Sequence, residues 1–246
     1  MKSEGTAAIE KLAEWIGEAR HMVFFGGAGV STESGIPDFR SEDGLYRMKY
    51  PHPPEEMLSH DFFMTHTREF YDFYRDKMLF PDVEPNVTHK LLAELERRGK
   101  LDAVVTQNID GLHQAAGSEK VYELHGSVHR NYCTRCGKFF PMSYVLASDG
   151  IPTCTCGGLI KPDVVLYGEG LNEEVVNGAI RAIRNADLLI VGGTSLVVYP
   201  AAGFIDSYRG DRLVLINRSE TARDGSADLV IHASLGETLR AAVRDL

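Results

Sequence analysis

A chain of 246 residues with 43% hydrophobic and 25% charged residues has the size and composition of a folded protein with one large domain, or one large and one small. Its net charge is −9, and no Lys/Arg run supplies the basic face of a nucleic-acid binder, so nucleic acid is not an expected partner. No apolar stretch approaches the ~18 residues of a membrane span, and the N-terminus lacks a signal-peptide pattern. The expectation is a cytoplasmic protein with no membrane partner.

In chain order, Ile9, Leu12, Ala13 and Ile16 recur at helical spacing and predict a first helix. The apolar run His21–Gly27 ends in glycines and reads as a buried strand feeding a loop. Ser41–Pro85, rich in aromatics, His and Pro, reads as an irregular, partly helical insertion. Thr88–Lys100 has a helical pattern and Leu101–Asn108 a strand pattern. Arg130–Lys161 breaks the alternation, and a helical pattern follows over Asn172–Ala186. Further strands are expected in Ala186–Ser195, Arg212–Asn217 and Ala227–His232. Apolar strands alternating with amphipathic helices imply an α/β fold: a Rossmann-like parallel sheet with helices on both faces. In such sheets ligands bind beyond the carboxyl ends of the strands, so the polar strand tails are the site candidates.

The first tail lies in "FFGGAGVSTESGIPDFR", Phe24–Arg40. Gly27 and Gly29 fit the G-x-G of a dinucleotide fingerprint, but Thr32 stands where a third glycine belongs. Glycines after a strand let backbone N–H groups approach a pyrophosphate, and they also serve a plain strand-to-helix turn. A hydride-transfer site would have a second strand with an acidic residue about 20 positions on, gripping a ribose, but "SEDGLYRMKYPHPP" reads as loop there. An NAD site here therefore differs from a hydride-transfer site. Pro37, Asp38, Phe39 and Arg40 supply parts that could cover a nucleotide and contact its phosphates.

Gln107, Asn108 and Asp110 follow the second strand. They suit ribose hydroxyls, a carboxamide or a developing positive charge, although Asp110-Gly111 is also common turn chemistry. His125, before the flexible Gly126, would face a cleft between domains as a general base. Thr194 and Ser195 follow a second glycine-bearing strand end, and Asn217 is a candidate ribose or adenine partner.

All four cysteines lie in two short pairs, Cys133/Cys136 and Cys154/Cys156. Clustered cysteines without a secretion pattern read as metal ligands in a reducing compartment. Four thiolates suit one structural, tetrahedral Zn2+ per chain and leave no open position for catalysis. The Cys-x-Cys spacing is tighter than the usual Cys-x-x-Cys. The smaller zinc-binding, helical domain is expected as an insertion into the sheet domain. Residues 1–40, 86–129 and 162–246 would form the Rossmann-like NAD-binding domain. Residues 41–85 and 130–161 would form the helical and zinc-ribbon modules of the small one.

"GAGVSTESGIPDFR", "TQNIDGLHQAAG", "ELHGS", the cysteine pairs, "KPDVVLYGE" and "GGTSLVVYPAA" occur in the order and at the spacing of the sirtuin family. From about Gly26 to Asn217 the chain resembles these NAD-dependent protein deacylases of bacterial type. The resemblance implies that Ala28, Thr32, Phe39 and Arg40 line the NAD pocket. It implies that Gln107, Asn108, Ile109 and Asp110 hold the nicotinamide ribose and carboxamide, with Asn108 and Asp110 counted with His125 as catalytic. Thr194, Ser195, Asn217 and Ala233 would hold the adenosine half. Val164, Val165 and Tyr167 would line the acyl-lysine tunnel, and the substrate backbone would add as a strand beside them and Val197.

The implied chemistry consumes NAD. The acyl oxygen attacks C1′ of the ribose as nicotinamide leaves, His125 removes a ribose hydroxyl proton, and the products are nicotinamide, O-acetyl-ADP-ribose and free lysine. Acetyl-lysine proteins or peptides are the expected substrates of a monomeric enzyme. Desuccinylating relatives carry a Tyr-x-x-Arg pair. Here Tyr71 matches the tyrosine, Tyr74 stands at the arginine position, and Arg75 is one residue late. Deacetylation is therefore expected over desuccinylation. Rival readings are mono-ADP-ribosyl transfer or NAD hydrolysis and, in a different class, a zinc-ribbon binding module.

Overall fold

The structure, a computed structural model, describes residues 2–38 and 50–244. The chain runs α1 (Lys2–Glu18), β1 (Met22–Gly26), α2 (Pro54–Met57), α3 (His60–Thr65), α4 (Thr67–Lys77), α5 (Val87–Arg97), β2 (Leu101–Thr106), α6 (Leu112–Ala115) and β3 (Val121–Glu123). It continues through β4 (Gly126–Cys133), β5 (Phe139–Pro141), α7 (Met142–Ala147), β6 (Ile160–Val164), α8 (Glu173–Asn185), β7 (Leu188–Gly192), β8 (Leu213–Asn217), β9 (Leu229–His232) and α9 (Leu235–Ala242). Strands β3-β2-β1-β7-β8-β9 form one sheet, and each neighbouring pair is parallel.

β1 shows why these strands are uniformly apolar. Successive side chains point to opposite faces, and both faces are covered. Phe24 enters a core with Leu12 and Ile16 of α1, Leu92 of α5 and Leu239 of α9. Val23 and Phe25 enter the opposite core with Ala179 and Ile183 of α8 and Ile205. Each fully buried Phe, Leu or Ile contributes about 1.5–3 kcal/mol relative to exposure. Side chains also fix the helix starts. Asn86 caps α5 in a reciprocal box with His89, Asn172 caps α8, and Ser234 caps α9.

A second, antiparallel sheet has the order β5-β4-β6. Its strands begin at Gly126 and end at Val164. Helices α3 and α4 share a core with it: Phe63, Phe70, Tyr71 and Tyr74 pack with Val128, Val145 and Val164. The Tyr71 hydroxyl donates to the Ile160 carbonyl. Arg75 donates from Nε to Val145 O at 3.0 Å and from its guanidinium to Gly150 O.

The sequence pattern identifies five strands of the large sheet. The sixth, β3, is a three-residue, half-buried edge strand too short to show periodicity. The small sheet was likewise not legible, because β4 reads "GSVHRNYC", with polar residues on both faces.

Candidate active site

The strand order reverses between β1 and β7, which opens the crevice where ligands of doubly wound sheets bind. The loops leaving these two strands touch backbone to backbone. Gly29 N donates to Gly193 O at 2.8 Å. A Cβ on Gly29 would lie 2.8 Å from Gly193 Cα, and one on Gly193, whose φ is +61°, would lie 2.5 Å from Val30 N. Only glycine permits that approach. The first loop continues as two short 3-10 turns, Ala28–Val30 and Thr32–Ser34. Asn86 Nδ2 holds it from outside by donating to Val30 O at 2.7 Å, and Ser234 Oγ by donating to Glu33 Oε1 at 2.6 Å.

Polar side chains from the strand ends close into two connected groups. Buried Ser31 donates to Asp110 Oδ2 at 2.6 Å and accepts from Asn108 Nδ2 at 3.0 Å. The other carboxylate oxygen of Asp110 accepts from Leu112 N at 2.9 Å, so the residue also performs the turn role its sequence suggests. Gln107 Nε2 donates to Thr194 Oγ1 at 3.1 Å. Asn217 binds the Thr194 backbone at both ends, accepting from its N–H at 3.0 Å and donating to its carbonyl at 2.6 Å. The Asn217 amide therefore shapes the β7 loop. Within that loop Leu196 has φ +55°, a strained conformation for a bulky residue, and its N–H donates to Thr194 Oγ1 at 3.2 Å.

His125 sits between the sheets. Its Nδ1 lies 2.9 Å from Gln107 O, and its own carbonyl accepts from Val165 N at 3.0 Å. A carbonyl only accepts, so Nδ1 carries the proton and the neutral ring keeps its lone pair on Nε2. Burial lowers the His125 pKa below the ordinary 6.5, partly offset by the bond to Gln107. The ring is therefore neutral and basic at physiological pH. Gly126, with φ +76°, makes the turn into β4, where a Cβ would stand 1.9 Å from Asp163 O.

The remaining candidates are spread around this centre. Ala28, Thr32 and Ile109 are half-buried and Ser195 is exposed. Ala233 is half-buried against the α1/α5/α9 core, and its N–H donates to Asn217 O at 3.1 Å. Val164 is buried in the small-domain core, Val165 is half-buried, and Tyr167 and Val197 are exposed. Phe39 and Arg40 lie outside the described residues. Sequence reasoning passed over Asn86, Glu33 and a buried imidazole pair, His89 and His113, whose ring centroids are 4.7 Å apart. The capping pattern Asn86-x-x-His89 was the available signal.

The four cysteine sulfurs lie within 4.8 Å of one another. Cys133 Sγ to Cys156 Sγ is 3.5 Å, Cys136 to Cys154 is 3.7 Å, and Cys136 to Cys156 is 3.5 Å. Zn–S bonds of ~2.3 Å in a tetrahedron place sulfurs ~3.8 Å apart, so the set fits one zinc ion and the Cys-x-Cys pair converges as well as its partner. Gly158 leaves the room, since a Cβ there would lie 2.5 Å from Cys133 Sγ.

This arrangement, with a glycine-lined switch point, strand-end amides and a base beside a four-cysteine module, is that of an NAD-using enzyme outside the hydride-transfer class. The Sir2 family profile matches residues 27–200, and the chain belongs to that family. It is 59% identical over 239 residues to an NAD-dependent protein deacetylase of Clostridium acetobutylicum, covering 96% of this chain and 98% of that one. It is similar to a solved Sir2 complex with p53 peptide and NAD+ at 40% identity and TM-score 0.85, covering 96% of this chain and 98% of that chain. A Sir2 complex with deacetylated p53 peptide and 3′-O-acetyl-ADP-ribose matches at 41% identity and TM-score 0.88, with the same coverage. Among the described residues no helix is long and apolar enough to cross a membrane.

Proposed function

We infer that this chain removes acetyl groups from protein lysine side chains with NAD as co-substrate, yielding nicotinamide, O-acetyl-ADP-ribose and free lysine. The observation that carries this reading is the His125 imidazole, set with Nδ1 locked on Gln107 O, between the strand-end amides and the segment beginning at Val165.

Bound NAD supplies the ribose carbon to which the acetyl oxygen transfers and the nicotinamide that leaves. The residues around it divide the work. Ala28 and Thr32, with Phe39 and Arg40, enclose the cofactor, and the Gly29–Gly193 contact lets backbone N–H groups approach its phosphates. Asp110 and Asn108, oriented through Ser31, stand with Gln107 and Ile109 at the nicotinamide ribose and carboxamide. A carboxylate and amides fixed before the reaction stabilise positive charge developing at the ribose without reorganising. His125 Nε2 takes the ribose hydroxyl proton. Thr194, Ser195, Asn217 and Ala233 serve the adenosine half, Asn217 acting through the Thr194 backbone.

The acetyl-lysine enters over Val164, Val165 and Tyr167. The peptide backbone adds as a strand between that segment and Val197. Its substrates are acetyl-lysine proteins or peptides, and it works as a cytoplasmic monomer. The clustered thiols, suited to a reducing compartment, support the location. The proposed domain division rests on the sequence pattern, and its bounds at 129/130 and 161/162 fall within β4 and β6. Residues 1–40, 86–129 and 162–246 bind NAD, and 41–85 and 130–161 form the small domain.

Incubating the protein with NAD and an acetylated peptide, and following all three products by mass spectrometry, tests the reading. Equal amounts of nicotinamide, deacetylated peptide and O-acetyl-ADP-ribose are expected. Free acetate in place of the acetylated nucleotide would overturn it.

A further inference from the structure

The segment from Val164 to Glu169 is held from three directions. Val165 N donates to His125 O at 3.0 Å, which ties the segment to the base. Tyr167 bridges to the start of α3, its N–H donating to Leu58 O at 3.0 Å and its carbonyl accepting from His60 N at 2.9 Å. The third hold is the Glu169 side chain. Its Oε2 accepts from Leu166 N at 2.9 Å and from Lys161 Nζ at 3.0 Å, while its Oε1 lies 2.8 Å from His60 Nδ1. Lys161 Nζ donates in addition to Val164 O at 3.0 Å and Pro162 O at 3.2 Å.

One carboxylate and one ammonium thus grip the backbone of Pro162, Val164 and Leu166 together. An exposed ion pair contributes little, but these side chains are only 19% and 22% exposed and bond to main chain as well as to each other. Burial works to raise the Glu169 pKa, yet the bonds from Leu166, His60 and Lys161 outweigh it and hold the carboxyl ionised, below the usual 4.5.

We propose that Glu169, with Lys161, is a positioning residue for substrate peptide: it fixes the register of Val164–Tyr167, the edge on which the acetyl-lysine peptide lies. The inference rests on the deacetylase reading and extends it to residues that do not touch the substrate. Register matters because alternate side chains face opposite ways. Val164 and Leu166 are buried and Tyr167 is exposed, and a slip of one residue would exchange those faces. It would also draw Val165 N away from His125 O.

The test separates the two substrates. Glu169→Ala, Glu169→Gln and Lys161→Met are assayed for the KM of an acetyl-lysine peptide and of NAD, with labelled-peptide anisotropy as a direct binding readout. Losing charge-assisted bonds of about 1.5–3 kcal/mol raises the peptide KM and Kd about tenfold or more in Glu169→Ala. The rise is smaller in Glu169→Gln, whose amide oxygen still accepts from Leu166 N, and the NAD KM stays within about twofold. If Glu169→Ala does not fold, Glu169→Gln and Lys161→Met carry the expectation in the same direction, a raised peptide KM and Kd with the NAD KM unchanged. Unchanged peptide affinity in folded variants, or a parallel rise in both KM values, would overturn the inference alone. Wild-type protein that binds no acetyl-lysine peptide would overturn the deacetylase reading and this inference with it.

Discussion

His125 Nδ1 lies 2.9 Å from the carbonyl oxygen of Gln107. The contact joins the candidate base to the strand-end residue whose side chain reaches Thr194, so tautomer and cofactor-site geometry are set by one residue.

The pH dependence of turnover follows from that bond. Burial, partly offset by the bond, keeps the His125 pKa below 6.5. The base form therefore predominates at pH 7, and kcat/KM for NAD should fall along an acid limb centred below 6.5. His125→Ala should lose about 10²–10⁴-fold in rate and the acid limb with it. A wild-type acid limb centred above 6.5 would contradict the assignment.

Two other histidines should contribute to acid stability. Burial pushes His89 down to about 4, against the opposing pull of Asp110 and Glu33, and pushes His113 down to about 3, helped by the charge of His89. Their folded pKa values lie below the unfolded 6.5. The neutral pair therefore contributes its full stability above pH 6.5, and that contribution is lost progressively between pH 6.5 and about 3 as the unfolded chain takes up protons first. His113→Phe should flatten this part of the stability curve, measured by urea unfolding at stepped pH. An unchanged acid slope would count against the pair.

The cysteine module should hold one zinc per folded chain by metal analysis. Cys156→Ser should lower that content, because Cys156 Sγ closes on both Cys133 and Cys136. Strong chelators should lower the Tm of wild type by several degrees, with re-addition of zinc restoring it. Full zinc content in Cys156→Ser would show that the second pair does not ligate as the geometry requires.

A preference for acetyl over succinyl groups is expected from three residues of the small-domain core. Tyr71 and Tyr74 are fully buried, and Arg75 is turned to the carbonyls of Val145 and Gly150. No Tyr-x-x-Arg pair stands ready for an acidic acyl group at these positions. Acetyl peptides should be processed at least about tenfold faster than succinyl peptides, a difference of ~1.4 kcal/mol in the barrier. A succinyl rate above the acetyl rate would reverse the assignment.

The large sheet was legible because β1, β2, β7 and β8 are largely buried and mostly apolar, and the part-buried edge strand β9 keeps the apolar run Leu229–Ile231. β3 is too short to show periodicity, and β4, β5 and β6 are short or polar, with cores shared with the cysteine module and with aromatics from α3 and α4 that are distant in sequence. In the site, Gln107, Asn108, Asp110 and His125 stand out because polar residues directly follow apolar strands. What the sequence could not show was which group each side chain binds. Asn217, a candidate nucleotide contact, also holds the Thr194 backbone, and Asn86 and Glu33 tie down the loop after β1.

Nicotinamide release from NAD, measured with and without an acetyl-lysine peptide in wild type and His125→Ala, tests the central claim most directly. Release that requires the peptide, matches the deacetylated lysine mole for mole, and disappears in the variant is the expected result. Release at the same rate without peptide would contradict it and mark the chain as an NAD hydrolase or ADP-ribosyltransferase.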